Sequence, residues 1–368
     1  MKEIRTIIEA YQNIDFSKTK AALVTVVGLE GSSYRRRGAR MLVLDDGNYL
    51  GGISGGCLEG DALKRAKMAI LKEKPSIVTY DTTQKDDHQI GVGLGCNGVI
   101  DILFTPLDPN DQDNPVLLLS SILKTRQPRI LITITGSSHE MLGKTFLYNQ
   151  DMNKKELFPD EQIANELSVD INKTAQTLIS SNITYSYKDQ NINFFIEVIL
   201  PEIKLVIFGS NHDIYSTGVI AKELGWEIIY FTHLAKASKK LFEIADHVYD
   251  MKTETLHSAD EYTAIVLMTH DYNTDLDKVG NLLKTNASYI GILGPKNRAE
   301  RLFAEIGMDY NNLNPHDRNR IFAPTGLDIG ATTPEEIALS IIAEIKTKFA
   351  NRSAGFLKLR SGSINEIN

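Results

Sequence analysis

The second half of the chain alternates short apolar strands with helical segments, and this rhythm limits the possible folds most. Buried-type strands are predicted at 204–208, 227–231, 264–268, 289–293 and 321–323. Strands that alternate with helices of about 10–15 residues form βαβ units and a parallel sheet. A final helix is indicated by the capping-box pattern at 333–336 (TPEE), with proline in its first turn. We therefore predict a Rossmann-like, doubly wound parallel sheet in the C-terminal part.

The first half is richer in strands and contains a weak internal repeat. The segment 25–28 (TVVG) resembles 133–136 (TITG), and each is followed by a loop, a second strand, a helical stretch and closing strands. The second copy lacks the glycine–cysteine loop and the arginine cluster of the first. Unless the repeat is a chance similarity between two β-rich segments, function belongs to the first copy and the second copy supports it.

These patterns together predict an α/β protein with three segments. Residues 1–108 form an N-terminal α+β domain, and residues 115–200 form a second, degenerate repeat-like α+β segment. Residues 201–350 form the Rossmann-like domain.

The composition excludes several classes of protein. The 368 residues include 40 Lys and Arg against 47 Asp and Glu, and a net charge of −7 does not favour nucleic-acid binding. Two cysteines are too few for a disulfide-rich secreted scaffold. The apolar runs are strand-sized, far below the roughly 20 residues of a membrane helix, and the N-terminus lacks the apolar core of a signal peptide. We expect a cytoplasmic protein that does not enter membranes, with reduced cysteines.

The most unusual stretch is the glycine-rich loop 51–59 (GGISGGCLE), which precedes a predicted helix. Glycines let backbone amides approach a ligand, and a helix N-terminus attracts anions and favours the thiolate form of a nearby cysteine. Ser54, Gly55, Gly56 and Cys57 are therefore candidates to bind an anion beside a soft sulfur donor. The alternative for Cys57 is the usual role of cysteine as a small buried apolar residue.

A cluster of arginines lies upstream of this loop. It consists of Arg35, Arg36, Arg37 and Arg40. In an acidic protein, such a local concentration of positive charge indicates an anion site. The alternative is that the arginines only form the solvated tip of a hairpin.

A second glycine-rich loop, 91–98, contains Cys96, which would add another thiol to the same site. Cys57 and Cys96 do not have the spacing of a structural zinc site, and no histidines cluster with them. The nearby run at 86–88 (DDH) is interpreted as a solvated turn rather than a metal site.

The first strand-to-helix turn of the C-terminal part, 209–214 (GSNHDI), keeps only the first glycine of a dinucleotide-binding G-x-G-x-x-G motif. The next strand also lacks the acidic residue that holds a ribose, which argues against NAD(P) binding. Three more polar or glycine-rich loops follow strand ends at the same predicted edge, where open α/β sheets bind ligands. The candidates in this crevice are Gly209, His212, His270, Asp271 and Arg298. Alternatively, these loops are ordinary polar βα connections.

In these stretches the chain resembles the XdhC/CoxI family of xanthine dehydrogenase accessory factors. The matching stretches are GSSYRRRGARMLV, GGISGGCLEGDAL, GLGCNG, LVIFGSNHD, LMTHDYNTD, YIGILGPKNR and PTGLDIGATTPEEIALSIIAEI. The resemblance implies an XdhC/CoxI-type N-terminal domain joined to a Rossmann-like domain. It also implies a chaperone, commonly a dimer, that binds molybdenum cofactor (molybdopterin) and delivers it in sulfurated form to a molybdenum hydroxylase such as xanthine dehydrogenase.

The family's cysteine loops fall on matching positions of this chain. One falls on Gly55, Gly56 and Cys57, and the other falls on Gly95 and Cys96. The resemblance thus makes Cys57 the expected molybdenum ligand or sulfur relay, with Cys96 nearby. The arginine cluster would then hold the phosphate of the cofactor.

In the C-terminal part, the family's G-A-G-H turn falls on 209–212 and its arginine-rich loop falls on 294–298, each with two departures from the family's pattern. Two other functions stay open: an NAD(P)-dependent oxidoreductase that uses the Rossmann-like domain, and a module that only docks to a partner enzyme. The expected partners are a xanthine dehydrogenase-type molybdoenzyme, a cysteine desulfurase as the sulfur source, and a second copy of the chain.

Overall fold

The structure is a computed structural model that describes residues 1–31, 33–81, 98–136, 141–149, 158–187, 190–253 and 259–361. Cys96 and the run at 86–88 lie outside these residues. The chain divides into two compact units, one spanning Glu3–Pro201 and the other Glu202–Leu359.

The first copy of the repeat is an antiparallel sheet preceded by one helix and covered on one face by a second helix. Its elements are α1 (Lys2–Gln12), β1 (Ala21–Gly31), β2 (Arg40–Leu44), β3 (Tyr49–Gly51), α2 (Glu59–Lys72), β4 (Ser76–Asp81) and β5 (Gly98–Leu107). The strand order is β3-β2-β1-β5-β4. The predicted helix after the glycine-rich loop therefore begins at Glu59.

The second copy repeats this plan without the outermost strand. Its elements are α3 (Pro115–Ile122), β6 (Arg129–Gly136), β7 (Thr145–Leu147), α4 (Glu161–Thr177), β8 (Ser181–Tyr187) and β9 (Gln190–Ile199). The strand order is β7-β6-β9-β8, in which β6 and β9 correspond to β1 and β5.

The internal repeat is confirmed down to an irregularity of the central strand. The register of β1 against β5 shifts immediately before Gly28, and that of β6 against β9 shifts immediately before Gly136. Both positions need glycine for the same reason. A Cβ on Gly28 would lie 2.2 Å from Asp101 Oδ2, and one on Gly136 would lie 2.6 Å from Asn193 Nδ2.

The two copies form four layers, because successive side chains of a strand point to opposite faces of its sheet. One face of the first sheet packs against α2, and one face of the second sheet packs against α4. The other two faces meet each other. Val27, Leu103 and Phe195, which come from both sheets, are fully buried together in this interface.

A buried ion pair crosses the interface between the two sheets. The guanidinium of Arg40 on β2 binds both carboxylate oxygens of Glu197 on β9, and the two side chains are 3% and 9% exposed. Arg40 also donates to the carbonyl oxygen of Gly38 at 2.7 Å. In the second copy, Thr145 stands at the position equivalent to Arg40. Thr145 lies opposite Thr133 on β6, just as Arg40 lies opposite Thr25 on β1.

The C-terminal unit is a Rossmann-like sheet, as predicted. Its elements are β10 (Lys204–Phe208), α5 (Asp213–Glu223), β11 (Glu227–Thr232), α6 (Lys239–Ile244), β12 (His247–Asp250), β13 (Thr263–Leu267), α7 (Tyr272–Leu282), β14 (Tyr289–Ile292), α8 (Lys296–Glu305), α9 (Pro315–Arg318), β15 (Ile321–Phe322) and α10 (Pro334–Phe349). Short 3-10 turns lie at Leu234–Lys236, Tyr310–Asn312 and Leu357–Leu359.

All neighbouring strands of this sheet are parallel, in the order β12-β11-β10-β13-β14-β15. The winding direction reverses between β10 and β13, and ligands of such sheets bind at this point, outside the carboxyl ends of the strands. The predicted capping box of the last helix is present: Thr333 accepts from the Glu336 amide, and Glu336 accepts from the Thr333 amide.

Replacing Glu197 by alanine should destabilise the N-terminal unit strongly. The substitution leaves the Arg40 guanidinium buried without its counter-charge, and loss of one partner of a buried ion pair costs about 3–5 kcal/mol. Urea unfolding followed by circular dichroism measures the loss. Glu166→Ala on the exposed face of α4 is the control and should leave the unfolding curve almost unchanged. Equal curves for the two variants would contradict the assigned role of the ion pair.

Candidate functional site

The glycine-rich loop before α2 is organised by a carboxylate from the helix itself. Glu59 accepts hydrogen bonds from the amide of Ile53 at 3.3 Å, from the amide of Ser54 at 2.8 Å, and from the Ser54 hydroxyl. Burial opposes ionisation of Glu59, but these hydrogen bonds outweigh it and lower the pKa of the carboxyl below its ordinary value. The carboxylate of Glu59 therefore holds the loop through these hydrogen bonds.

The hydroxyl of Ser54 connects this carboxylate to the rest of the loop. Its oxygen accepts from the amides of Gly56 and Leu58, both at 3.1 Å, and the Cys57 Sγ lies 3.6 Å away. Together with the two amides bound by Glu59, four amides that would have been available to an anion are used within the loop. These hydrogen bonds hold the loop in shape.

Cys57 is a free, half-buried cysteine on this loop. One side of it packs against the apolar core of the first copy. Gly56 before it has a φ of +108°, a left-handed conformation that glycine adopts without strain. The backbone thus turns sharply at Gly56 and presents the thiol at the edge of the core rather than inside it.

The structure separates the four arginines of the cluster. Arg40 is buried in the ion pair with Glu197. Arg35 is paired with Glu3 of α1, and its side chain is about one-third exposed. The side chains of Arg36 and Arg37 are exposed, and Arg37 donates to the Asn182 side chain of β8 at 2.7 Å.

The arginine loop and the glycine–cysteine loop lie at the same end of the first sheet. The amide of Gly52 donates to the carbonyl oxygen of Arg40 at 3.0 Å. The ring of Tyr34 lies against Gly55, where a Cβ would be only 3.3 Å from the ring Cγ. Two loops that are separate in the sequence therefore adjoin in the structure, one carrying Cys57 and the other carrying Arg36 and Arg37, and together they form one surface region. We call this surface the Cys57 face.

At the carboxyl edge of the C-terminal sheet, the turn at 209–214 packs closely against its neighbours. A Cβ on Gly209 would lie 2.5 Å from Ile214 Cγ2 and 2.8 Å from the carbonyl oxygen of Met268. The Ser210 hydroxyl accepts from the Thr232 hydroxyl at 3.0 Å, which ties the turn to the end of β11. His212 is exposed immediately before α5.

A histidine and an aspartate meet where the winding of this sheet reverses. The His270 Nε2, after β13, lies 2.5 Å from the Asp213 Oδ2 in the first turn of α5. Asp213 is 8% exposed, whereas the His270 side chain is half-exposed. His270 has a φ of +57°, a conformation that costs a non-glycine residue of order 1–3 kcal/mol.

Two further predicted residues lie beside this pair. Asp271 caps α7 by accepting from the Thr274 amide at 2.7 Å. Hydrogen bonds from Thr274, and more weakly the positive charge of Arg298, lower the pKa of Asp271. Arg298 binds Asp275, which is almost fully buried, at 2.7 Å. Of the predicted crevice residues, His270 and Arg298 are therefore each paired with a carboxylate at this edge of the sheet.

The sequence patterns did not indicate several residues that shape these two regions. They are Glu3, Tyr34, Glu59, Glu197, Asp213 and Asp275. The only local signal was the position of Glu59 and Asp213 in the first turn of a helix after a glycine-containing turn, where a carboxylate is favourable. The other contacts join residues distant in sequence, so no local pattern indicates them.

Two family models match the chain, one in each unit. Residues 17–81 match the XdhC and CoxI family, and residues 205–345 match the XdhC Rossmann domain. A protein of Bacillus subtilis (strain 168) that is named a probable xanthine dehydrogenase subunit is 30% identical over 330 residues, which is 89% of this chain and 92% of that protein. The chain belongs to the XdhC/CoxI family. The first match contains the whole Cys57 face.

Two other similar proteins cover nearly the full chain. The molybdenum cofactor insertion chaperone PaoD of Escherichia coli (strain K12) is 24% identical over 346 residues, 93% of this chain and 87% of that protein. A crystal structure described as a xanthine dehydrogenase from Bacillus halodurans has a TM-score of 0.72 and 25% identity, and covers 96% of this chain and 97% of that one. XdhC/CoxI relatives thus include a protein named for cofactor insertion.

Membrane-spanning helices and metal-ligand clusters are both absent from the described ranges. None of the helices there has the length and apolar character needed to cross a membrane. In the same part of the chain, no three His, Cys, Asp or Glu side chains are grouped so that they could hold a metal ion.

Replacing Glu59 by glutamine should loosen the loop in a pH-dependent way. Glutamine has no charge to hold two amides and a hydroxyl, so we expect the free energy of unfolding to fall by about 1–3 kcal/mol at pH 7. Because the pKa of Glu59 is lowered in the folded state, the advantage of the wild type is complete above about pH 4.5 and disappears as the pH falls through the lowered pKa.

Urea unfolding of the wild type and the variant between pH 7 and pH 3 measures this difference. Glu166→Gln, at an exposed residue of α4, is the matched control. A wild-type advantage that stays constant towards acid pH would contradict the role of the Glu59 charge.

Proposed function

We propose that this protein is a molybdenum cofactor chaperone, which holds the cofactor and assists its insertion into a xanthine dehydrogenase-type molybdoenzyme. The observation that carries the proposal is the Cys57 face. It combines a free thiol with two exposed arginine residues, Arg36 and Arg37, on adjoining loops, within the segment that matches the XdhC and CoxI family. The names of two relatives, a xanthine dehydrogenase subunit and a cofactor insertion chaperone, support the same role.

The side chains of the Cys57 face suit the chemistry of this cargo. Molybdopterin carries an anionic phosphate and a molybdenum centre bound by sulfur. A thiolate is a soft ligand that suits such a metal, and guanidinium groups bind phosphate by charge-assisted hydrogen bonds. Since the loop amides are largely used within the loop, Arg36 and Arg37 are the groups we assign to the phosphate.

The remaining arginines of the cluster and the two cysteines have separate roles in the proposal. Arg40 shapes the site through its ion pair with Glu197, and Arg35 contributes charge only while sharing it with Glu3. Cys57 is the proposed ligand of the molybdenum centre or carrier of its sulfur, with Cys96 as a second thiol. A cysteine desulfurase as the sulfur donor, a homodimeric state and a cytoplasmic location belong to the same proposal.

The edge of the C-terminal sheet does not favour a nicotinamide dinucleotide. In dinucleotide-binding folds the pyrophosphate sits at the N-terminus of the first helix. Here the carboxylate of Asp213 occupies the first turn of α5 and pairs with His270. Its charge opposes that of a pyrophosphate, so an NAD(P)-dependent oxidoreductase is the weaker candidate. His212, His270, Asp271 and Arg298 remain candidates to bind a polar ligand at this edge of the C-terminal sheet.

Replacing Cys57 by alanine tests the proposal. We expect the protein purified from cells that make the cofactor to carry both molybdenum and pterin, and Cys57→Ala to carry at least about tenfold less molybdenum, because a metal–ligand bond is lost. Metal analysis and the fluorescence of oxidised pterin measure the two components. Met68→Ala is the control, since Met68 is a half-exposed sulfur-containing residue on the outer side of α2.

Unchanged molybdenum in Cys57→Ala would remove Cys57 from the proposal. A wild-type protein that binds the cofactor-free partner enzyme but never carries pterin or molybdenum would instead be a docking module.

A further inference from the structure

Tyr34 is a large aromatic residue that the proposed function leaves unused. Its side chain is 73% exposed, although burial of an aromatic ring is strongly favourable. It lies in the arginine loop, immediately before the cluster 35–37. Single exposed apolar residues are common on protein surfaces, so exposure alone assigns no role to Tyr34. Its contact with the neighbouring loop does.

The face of the Tyr34 ring lies beside Gly55, over the position that a Cβ would take there. The position of a Cβ on Gly55 is 3.3 Å from the ring Cγ and 3.5 and 3.6 Å from the two Cδ atoms. Because the Cδ atoms are almost equally distant and only slightly farther than Cγ, that position lies above the face of the ring rather than beyond its edge. Gly55 thus supports one face of Tyr34, and the large exposed fraction leaves the opposite face open.

A Cβ at position 55 would require the Tyr34 ring to shift by a few tenths of an ångström. A side chain there would meet the ring at a distance tighter than ordinary van der Waals contact. Gly55 has no positive φ, in contrast to Gly56, so backbone conformation does not explain why glycine stands at this position. The small space between the backbone and the ring favours glycine there.

The ring and its neighbour Gly55 belong to the same two loops as the groups that the proposed function uses. Gly55 is two residues before Cys57 on one loop, and Tyr34 is two and three residues before Arg36 and Arg37 on the other. The Cys57 face therefore combines a thiol, two guanidinium groups and an open aromatic surface. A ligand that satisfies all three has a soft metal–sulfur group, an anionic group and a flat ring.

We propose that Tyr34 is the stacking surface for the pterin ring of the cargo, with Gly55 as its support. This inference rests on the proposed function and adds the group that recognises the ring system. Aromatic side chains bind flat heterocycles by stacking, with modest dependence on the identity of the heterocycle. The phenol ring, rather than the hydroxyl group, supplies this contact.

Binding of pterin itself (2-amino-4-oxopteridine) to the full chain tests the proposal through quenching of pterin fluorescence. We expect saturable binding to the wild type, an affinity within about twofold for Tyr34→Phe, and a loss of about tenfold for Tyr34→Leu. Gly55→Ala should also weaken binding, because the added methyl group displaces the ring. Tyr49→Leu is the matched control, since Tyr49 is half-exposed on the same sheet, and it should bind as the wild type does.

Equal affinities of the wild type and Tyr34→Leu would overturn the stacking role, as would the absence of saturable binding to the wild type. The molybdenum content of the same purified proteins separates this failure from failure of the proposed function. If the wild type carries molybdenum while pterin binding is independent of Tyr34, only the stacking role is wrong. If the wild type carries neither molybdenum nor pterin, the chaperone function itself is wrong.

Discussion

The contacts of Arg40 hold the N-terminal unit and its candidate site together. The guanidinium binds Glu197 of the second copy and the carbonyl oxygen of Gly38, at the end of the arginine loop. The amide of Arg40 donates to Glu3, and its carbonyl oxygen accepts from Gly52, at the start of the glycine–cysteine loop. One residue therefore fixes both loops of the Cys57 face against the core and against the other copy.

This arrangement explains why the repeat is asymmetric. Both copies keep the glycine-dependent shift of the central strand and the helix on the outer face. In the second copy, Thr145 replaces the ionic Arg40, and α4 begins with an ordinary cap, in which Asp160 accepts from Ile163. In the first copy, α2 has no side-chain cap at Leu58, and Glu59 turns back to hold the loop instead. The glycine–cysteine loop and the arginine cluster therefore belong to the first copy alone.

Much of the fold could be predicted, because it depends on local patterns. Apolar runs and helix caps identified the parallel sheet, and the TVVG and TITG segments identified the repeat. Strands β4, β8 and β12 were not predicted, since their sequences mix polar and apolar residues at the sheet edges. In the site, glycine and cysteine content indicated the loop. The pairing of Arg40 with Glu197 and the position of Tyr34 on Gly55 depend on tertiary packing, which no local pattern records.

The proposed function depends above all on Cys57 facing the bound cofactor. Alkylation of Cys57 by iodoacetamide, followed by mass spectrometry, tests this most directly on the full chain purified from cells with and without the cofactor. We expect the half-buried thiol to react in the cofactor-free protein and to be protected when molybdenum and pterin are bound. Equal labelling of Cys57 in a preparation that carries the cofactor would contradict the proposed position of the thiol.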